Sequence, residues 1–287
     1  MGFIDNHLGI GLGFKKGMGE DGGLSNFDGD GLLPNTEARH FYYERLITAN
    51  GGIEDIQDFY GLSLTDFKMA INNVFTSLEI CGLTSKIKRW TPRLGSTSNT
   101  QCLNAISPIS VYDGVFSGGV TFTTNGVVYD GINGKESTGF LVNNFSGINN
   151  IGVSFKYVTG TLANYSQMVA DSANPQILAI YNDPLGRFLG YINTANYSGH
   201  TVEIGGYYTY NRTTSNILYI NGVQEDTVVV TDALVLSASQ LCIGGGNVNM
   251  LYANATIRQE VFHDALDANE SLDLYNILTT FDTALGR

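Results

Sequence analysis

The sequence predicts a mainly β protein: an antiparallel β-sandwich preceded by a small helical adaptor and a Gly-rich N-terminal arm. Three observations carry that expectation. Short apolar runs recur from about residue 111 onward, each closed by Gly, Asn, Asp or Pro, which is the spacing of strands in a sandwich. Thirty-five glycines and sixteen tyrosines, against five prolines and one tryptophan, suit many short strands joined by tight turns. The third is the order of features from Ile217 to Leu278. An alternating run meets Asn221-Gly222, a second run follows at Thr227 to Val230, and a third ends in Gly244-Gly245-Gly246. A closing strand from Ala255 to Phe262 and an acidic helical segment from Leu266 complete it.

Residues 1–35 form the arm. Leu8, Ile10, Leu12 and Phe14 stand at alternating positions, an apolar set that a solvated tail does not need, so these four are the candidate anchors to an assembly. Asn26, Asp28, Asp30 and Glu37 fall at positions 1, 3, 5 and 12 of a segment with Gly31 at 6, the spacing of an EF-hand calcium loop. Position 1 is Asn, however, and the stretch before it is too Gly-rich for an entering helix, so a polar turn is the first reading and calcium the second. No other cofactor is indicated.

Residues 36–107 read as the helical adaptor and linker. Phe41, Tyr42, Arg45 and Leu46 share a helical face between Thr36 and Ala49, stopped by Asn50-Gly51-Gly52. Leu64, Phe67, Ile71, Val74, Phe75 and Leu78 predict a longer helix from Ser63 to Ile80, capped by Ser63 and ended at Gly82. Lys86, Lys88, Arg89 and Arg93 cluster around Trp90. With one aromatic they make a poor nucleic-acid surface and read as a solvated linker or a contact to an acidic neighbour. Leu94 to Ser110 continue the linker, and residues 108–287 are the sandwich.

Composition removes several function classes. A net charge of −12 argues against coating nucleic acid. No apolar run reaches the ~18 residues of a membrane-spanning helix, and the first residues lack the layout of a secretory signal. Cys81, Cys102 and Cys242 are odd in number and widely spaced, against both a disulfide framework and a zinc site. The E-x-D-x-x-E spacing of a retaining glycosidase on one strand is missing, and Glu203 and Glu260 read as isolated. No G-x-S-x-G occurs, and the spacing of His7, His40, His200 and His263 nominates no base. No enzyme is expected.

Several motifs resemble laminin-G-like domains of the concanavalin A-like jelly-roll class. They are Leu218-Tyr219-Ile220-Asn221-Gly222-Val223, Ile243-Gly244-Gly245, Ile257-Arg258-Gln259-Glu260-Val261 with the helix after it, and Val128-Tyr129-Asp130-Gly131-Ile132. That family carries an acid where Arg258 stands, so calcium coordination is not carried over from that position. The whole layout resembles the virion proteins of tailed bacteriophages. The segment Phe41 to Pro108 suggests this, above all Gly82-Leu83-Thr84-Ser85-Lys86-Ile87 and Leu103-Asn104-Ala105-Ile106-Ser107-Pro108.

The resemblance implies a non-enzymatic fibre or decoration protein of capsid or tail, made in the host cytoplasm and located in the virion. Its implied partners are other virion proteins and further copies of itself, a trimer among the options, with neither nucleic acid nor membrane. A host-surface glycan is the implied ligand. Sugars stack on aromatic rings, which nominates Tyr181, Tyr191, Tyr197, Tyr207 and Tyr208, although alternation within strands would also pack such rings inside. A free-standing lectin-like module is the alternative, followed by a glycoside hydrolase of the same fold.

Overall fold

The computed structural model describes residues 31–107, 110–147, 149–160, 167–171, 178–182, 187–192, 197–229, 238–245 and 252–287. For 167–171, 178–179, 181–182, 188–192 and 197–200 it gives the backbone alone. The helices are α1 (Thr36–His40), running on as a π-helical stretch at Phe41–Ile47, then α2 (Leu64–Ile80), α3 (Ser98–Gln101) and α4 (Ala268–Ala284). The strands begin with β1 (Ile87–Thr91), β2 (Val115–Ser117), β3 (Val120–Thr123), β4 (Gly126–Asp130), β5 (Lys135–Leu141), β6 (Ile151–Gly160), β7 (Gln167–Asp171) and β8 (Leu178–Asn182). They continue with β9 (Arg187–Ile192), β10 (Tyr197–Thr201), β11 (Tyr207–Arg212), β12 (Ser215–Ile220), β13 (Val223–Val229), β14 (Gln240–Ile243) and β15 (Asn254–His263).

Local chemistry sets the helix ends. The Asn35 side chain accepts from the Ala38 amide at the start of α1, and Ser63 does the same for Asp66 at α2. α4 opens with a reciprocal capping box between Asp267 and Glu270. The stretch from Thr201 to Tyr210 is not one continuous strand: β10 ends at Thr201 and β11 starts at Tyr207, with a turn through Gly205, whose φ of 79° only glycine adopts freely.

Among the described residues the strands form two antiparallel sheets. The first runs β13-β12-β11-β6-β15-β4-β3, with β1 also on β15, and the second runs β10-β9-β8-β7-β14-β5-β2. Their inner faces bury Phe140, Val153, Phe155, Tyr210, Leu241, Ile243 and Phe262 against one another, which makes the jelly-roll sandwich. A second core lies on the outer face of the first sheet. There α2, α4 and the N-terminal segment close over Tyr207 and Val261, and Trp90 stands between Phe75 of α2, at 5.6 Å, and Phe281 of α4, at 5.7 Å.

The basic stretch read as a linker is strand β1. Ile87, Arg89, Trp90 and Thr91 pair with His263 to Glu260 of β15, on the same flank that β4 occupies further along, where it meets Asn254 to Ile257. A solvated linker does not describe it: Arg89, Trp90 and Arg93 are buried, while Lys86 and Lys88 bond Glu270 and Asp264 at 2.6 and 2.9 Å. The acidic-neighbour reading describes all four charges. A fragment starting at residue 108 would thus lose a strand and uncover Val261, Leu278 and Phe281. Such a fragment should lose near-UV circular dichroism and aggregate where the full chain does not. A cooperative urea transition like that of the whole protein would contradict this.

Candidate functional site

Cross-strand partners in an antiparallel ladder share a face, so register alone assigns sides in β8, β9 and β10. Ile180 is buried in the inter-sheet core and pairs with Gly190, which pairs with Ser198. Tyr191 pairs with Ala179 and with Tyr197, and so takes the opposite parity; Tyr181, two residues beyond Ala179, shares it. The register therefore brings Tyr181, Tyr191 and Tyr197 to one side of three adjacent strands. At the other end of the second sheet the outer side carries exposed Val115, Ser117 and Gly139.

Tyr207 and Tyr208 do not join them. Both are buried, one in each core. The Tyr207 ring meets Tyr275 of α4 at 6.2 Å, while Tyr208 stacks on Phe155 at 5.6 Å and its hydroxyl bonds the Glu203 backbone. β11 is covered on both sides, so its tyrosines are packing residues on either parity and offer no ring to a sugar. Leu8, Ile10, Leu12, Phe14, Asn26, Asp28 and Asp30 lie outside the described residues. Glu37 sits exposed in the first turn of α1, an ordinary place for an acid at a helix start. No cluster of metal-ligating side chains occurs among the described residues.

Two constellations resemble catalytic machinery, and sequence spacing showed neither. Glu260 of β15 is not isolated: it meets Glu136 of β5 across the sandwich, and both carboxylates bond Arg89 and Arg93. Arg89 Nη2 donates to Glu136 Oε1 at 2.6 Å and Nη1 to Glu260 Oε1 at 2.9 Å, while its Nε donates to the Tyr112 carbonyl. Arg93 adds Nε to Glu260 Oε2 at 2.9 Å and Nη1 to the Gln101 carbonyl. Phe262 and Phe116 cover the two guanidinium groups at 5.4 and 5.2 Å. All four side chains are fully buried. Burial opposes the charge on Arg93, but the Glu136 and Glu260 carboxylates outweigh it and hold its pKa above the ordinary range. A general acid needs a proton and access to substrate; these carboxylates are ion-paired and closed to solvent. The alternation of Glu136, Thr138 and Phe140 in β5 is the signal that could have placed Glu136 inward.

The second constellation is Ser154, whose Oγ lies 2.8 Å from His263 Nε2, while His263 Nδ1 lies 2.8 Å from the Asp264 carbonyl. A carbonyl can only accept, so Nδ1 carries the hydrogen and Nε2 accepts from the serine. Ser154 and His263 are fully buried, and burial pushes the imidazole pKa down to about 4. The partner residues are 109 apart in sequence, beyond any spacing rule.

No protein-family model matches this chain, and no curated protein does. Solved structures match its fold. Domain 4 of AbnA, a GH43 extracellular arabinanase from Geobacillus stearothermophilus solved with arabinotriose, aligns with TM-score 0.50 and 14% identity over 66% of this chain and 98% of that domain. Trypanosoma rangeli sialidase with sialic acid gives 0.52 and 12%, over 71% of this chain and 38% of the sialidase. The binding domain of botulinum neurotoxin DC with rat synaptotagmin II gives 0.51 and 14%, over 68% and 52%. At such identities the likeness is one of fold.

Removing one buried charge leaves its partners uncompensated. Glu260→Gln should therefore cost about 3–5 kcal/mol of unfolding free energy in urea, whereas a loss below ~1 kcal/mol would show that the cluster does not hold the sheets. His263 ionises at about 4 in the folded chain, against 6.5 as a free side chain, so between these values the unfolded chain binds the extra proton. The stability from the neutral ring is complete above pH 6.5 and is lost as pH falls towards 4, on the order of 3 kcal/mol in all. His263→Gln should flatten that part of the pH profile, and an unchanged slope would reject the assignment.

Proposed function

We propose that the chain is a non-catalytic structural protein of a tailed-bacteriophage virion, whose jelly roll binds a host-surface glycan on the outer side of the second sheet. One observation carries the binding part. Helices close the middle of the first sheet's outer face, over Tyr207 and Val261, while register gathers Tyr181, Tyr191 and Tyr197 on the side of the second sheet away from Ile180. Sugar rings present apolar faces and hydroxyls, and tyrosine matches both. Fold relatives solved with arabinotriose and with sialic acid support sugar as the ligand class.

Two features support the absence of catalysis: Glu136 and Glu260 are neutralised by arginines, and Ser154 with His263 is closed to substrate. The virion role rests on the resemblance of residues 41–108, and display on capsid or tail in several copies would raise avidity without new contacts. A glycan array probed with the full chain should give a defined set of hits. Tyr191→Ala and Tyr197→Ala should each weaken them about tenfold, or ~1.4 kcal/mol. Undiminished binding by the double variant would reject the tyrosine side, and reducing-sugar release from a bound glycan would reject the non-catalytic reading. Mass spectrometry of purified particles should find the chain; its absence would leave the free-standing lectin-like module.

A further inference from the structure

α2 and α4 lie side by side on the first sheet, and between their outer flanks runs an open groove of about 190 Å³. Val74, Ile277 and Phe281 form its floor, with Ala70 and Ser77 on one wall and Thr280 and Ala284 on the other. The walls are short side chains, so a chain could lie close to both helices. Beside it two large apolar residues of α2 stand in water, Met69 at 46% and Ile80 at 80% exposure. Helix residues facing solvent are ordinarily polar, and two such neighbours along an apolar groove mark a face that lacks its cover.

We infer that the cover is the chain's own arm, residues 8–14. That segment reads Leu8-Gly9-Ile10-Gly11-Leu12-Gly13-Phe14: every second residue is apolar and every residue between is glycine. Extended, it has one side of apolar side chains and one side with none. Such a ribbon can press four side chains down while its bare side fits between closely spaced walls. Its length suits the site. Seven extended residues span roughly 20 Å, and Met69 to Ile80 covers about 16 Å of helix.

The arm also starts from the right place. The described chain begins at Gly31, Leu33 is buried in the helical core, and Asn35 bonds Asn72 and Glu79 of α2 at 2.9 and 3.1 Å. The arm therefore leaves from one flank of α2, and the groove is on the other, where Asn73 and Ser77 lie. Residues 15–30 reach roughly 50 Å when extended, against the ~10 Å width of a helix that they must cross. A tether this short gives the arm a high effective concentration at its own groove, which favours this occupant over a second copy.

Cys81, exposed one turn beyond Ser77, provides a native reporter at the end of the groove. In the full chain, mild oxidation of Leu8→Cys or Phe14→Cys should form a disulfide with Cys81 within one molecule. Peptide mass spectrometry would read it, and Cys81→Ser should abolish it. Hydrogen exchange should show residues 8–14 protected at least tenfold over an unstructured peptide, and Thr280→Trp, which fills the groove, should remove that protection while near-UV circular dichroism stays unchanged. Exchange of residues 8–14 at the free-peptide rate would overturn the inference. So would a disulfide found only between molecules, which would assign the groove to the arm of a second copy.

Discussion

Four buried charges, Arg89, Arg93, Glu136 and Glu260, set the terms on which the rest of this chain folds. They come from three separate parts of the sequence, and together they sum to zero. Taking four ions out of water is costly, and the cost is recovered only when all the partners are in place. Glu136 belongs to the second sheet, Glu260 to the first, Arg89 to β1, and Arg93 lies two residues beyond that strand. The cluster can be satisfied only if both sheets and the N-terminal segment meet in one register. Arg93 takes a φ of 55°, unusual for a residue with a side chain, and four hydrogen-bonding directions from its guanidinium hold it there.

From that constraint follows the asymmetry of the two sheets. With Arg89 and Arg93 anchored, β1 is fixed along β15, and Trp90 between them is directed to the opposite side, into the space between α2 and α4. Its indole N–H donates to Gln259 at 3.0 Å, and Gln259 donates in turn to Asp282 of α4 at 2.8 Å. Arg287 completes the attachment by donating to the Pro92 and Arg93 carbonyls. The outer face of the first sheet is thereby occupied by packing over β1, β15 and β11, while β13 at its edge stays exposed. On the second sheet, register sets Tyr181, Tyr191 and Tyr197 on the side opposite Ile180.

Much of this was legible in the sequence. Period-two alternation and turn residues located most of the strands from Val115 onward, though not the break between β10 and β11; the capping signal at Ser63 marked the start of α2, and the acidic segment from Leu266 marked α4. β1 was not legible. Ile87-Lys88-Arg89-Trp90-Thr91 carries three polar residues in five, and its charges looked like solvent-facing ones because their partners are remote in sequence, Glu260 lying 171 residues beyond Arg89. Tyr207 and Tyr208 illustrate the same limit. Adjacent residues on a strand face opposite ways, so one of the two would be free on a sheet with one bare face. Here α4 covers the second face, and no local pattern reveals a cover supplied by a distant helix.

The two catalytic-looking constellations illustrate a general point about proximity. Two carboxylates sharing guanidinium donors, and a serine bonded to an imidazole, are arrangements that enzymes also use. What separates them is the charge state that each environment permits. A catalytic base must gain a proton during turnover, and at His263 burial opposes the protonated form so strongly that the ring stays neutral to about pH 4. At the carboxylates burial raises the Glu260 pKa while Arg93 and Arg89 act against that rise, and both acids are held in ion pairs away from solvent. In both places the converging groups are buried and tied to one another, so their contacts fix how β15 sits against β1, β5 and β6.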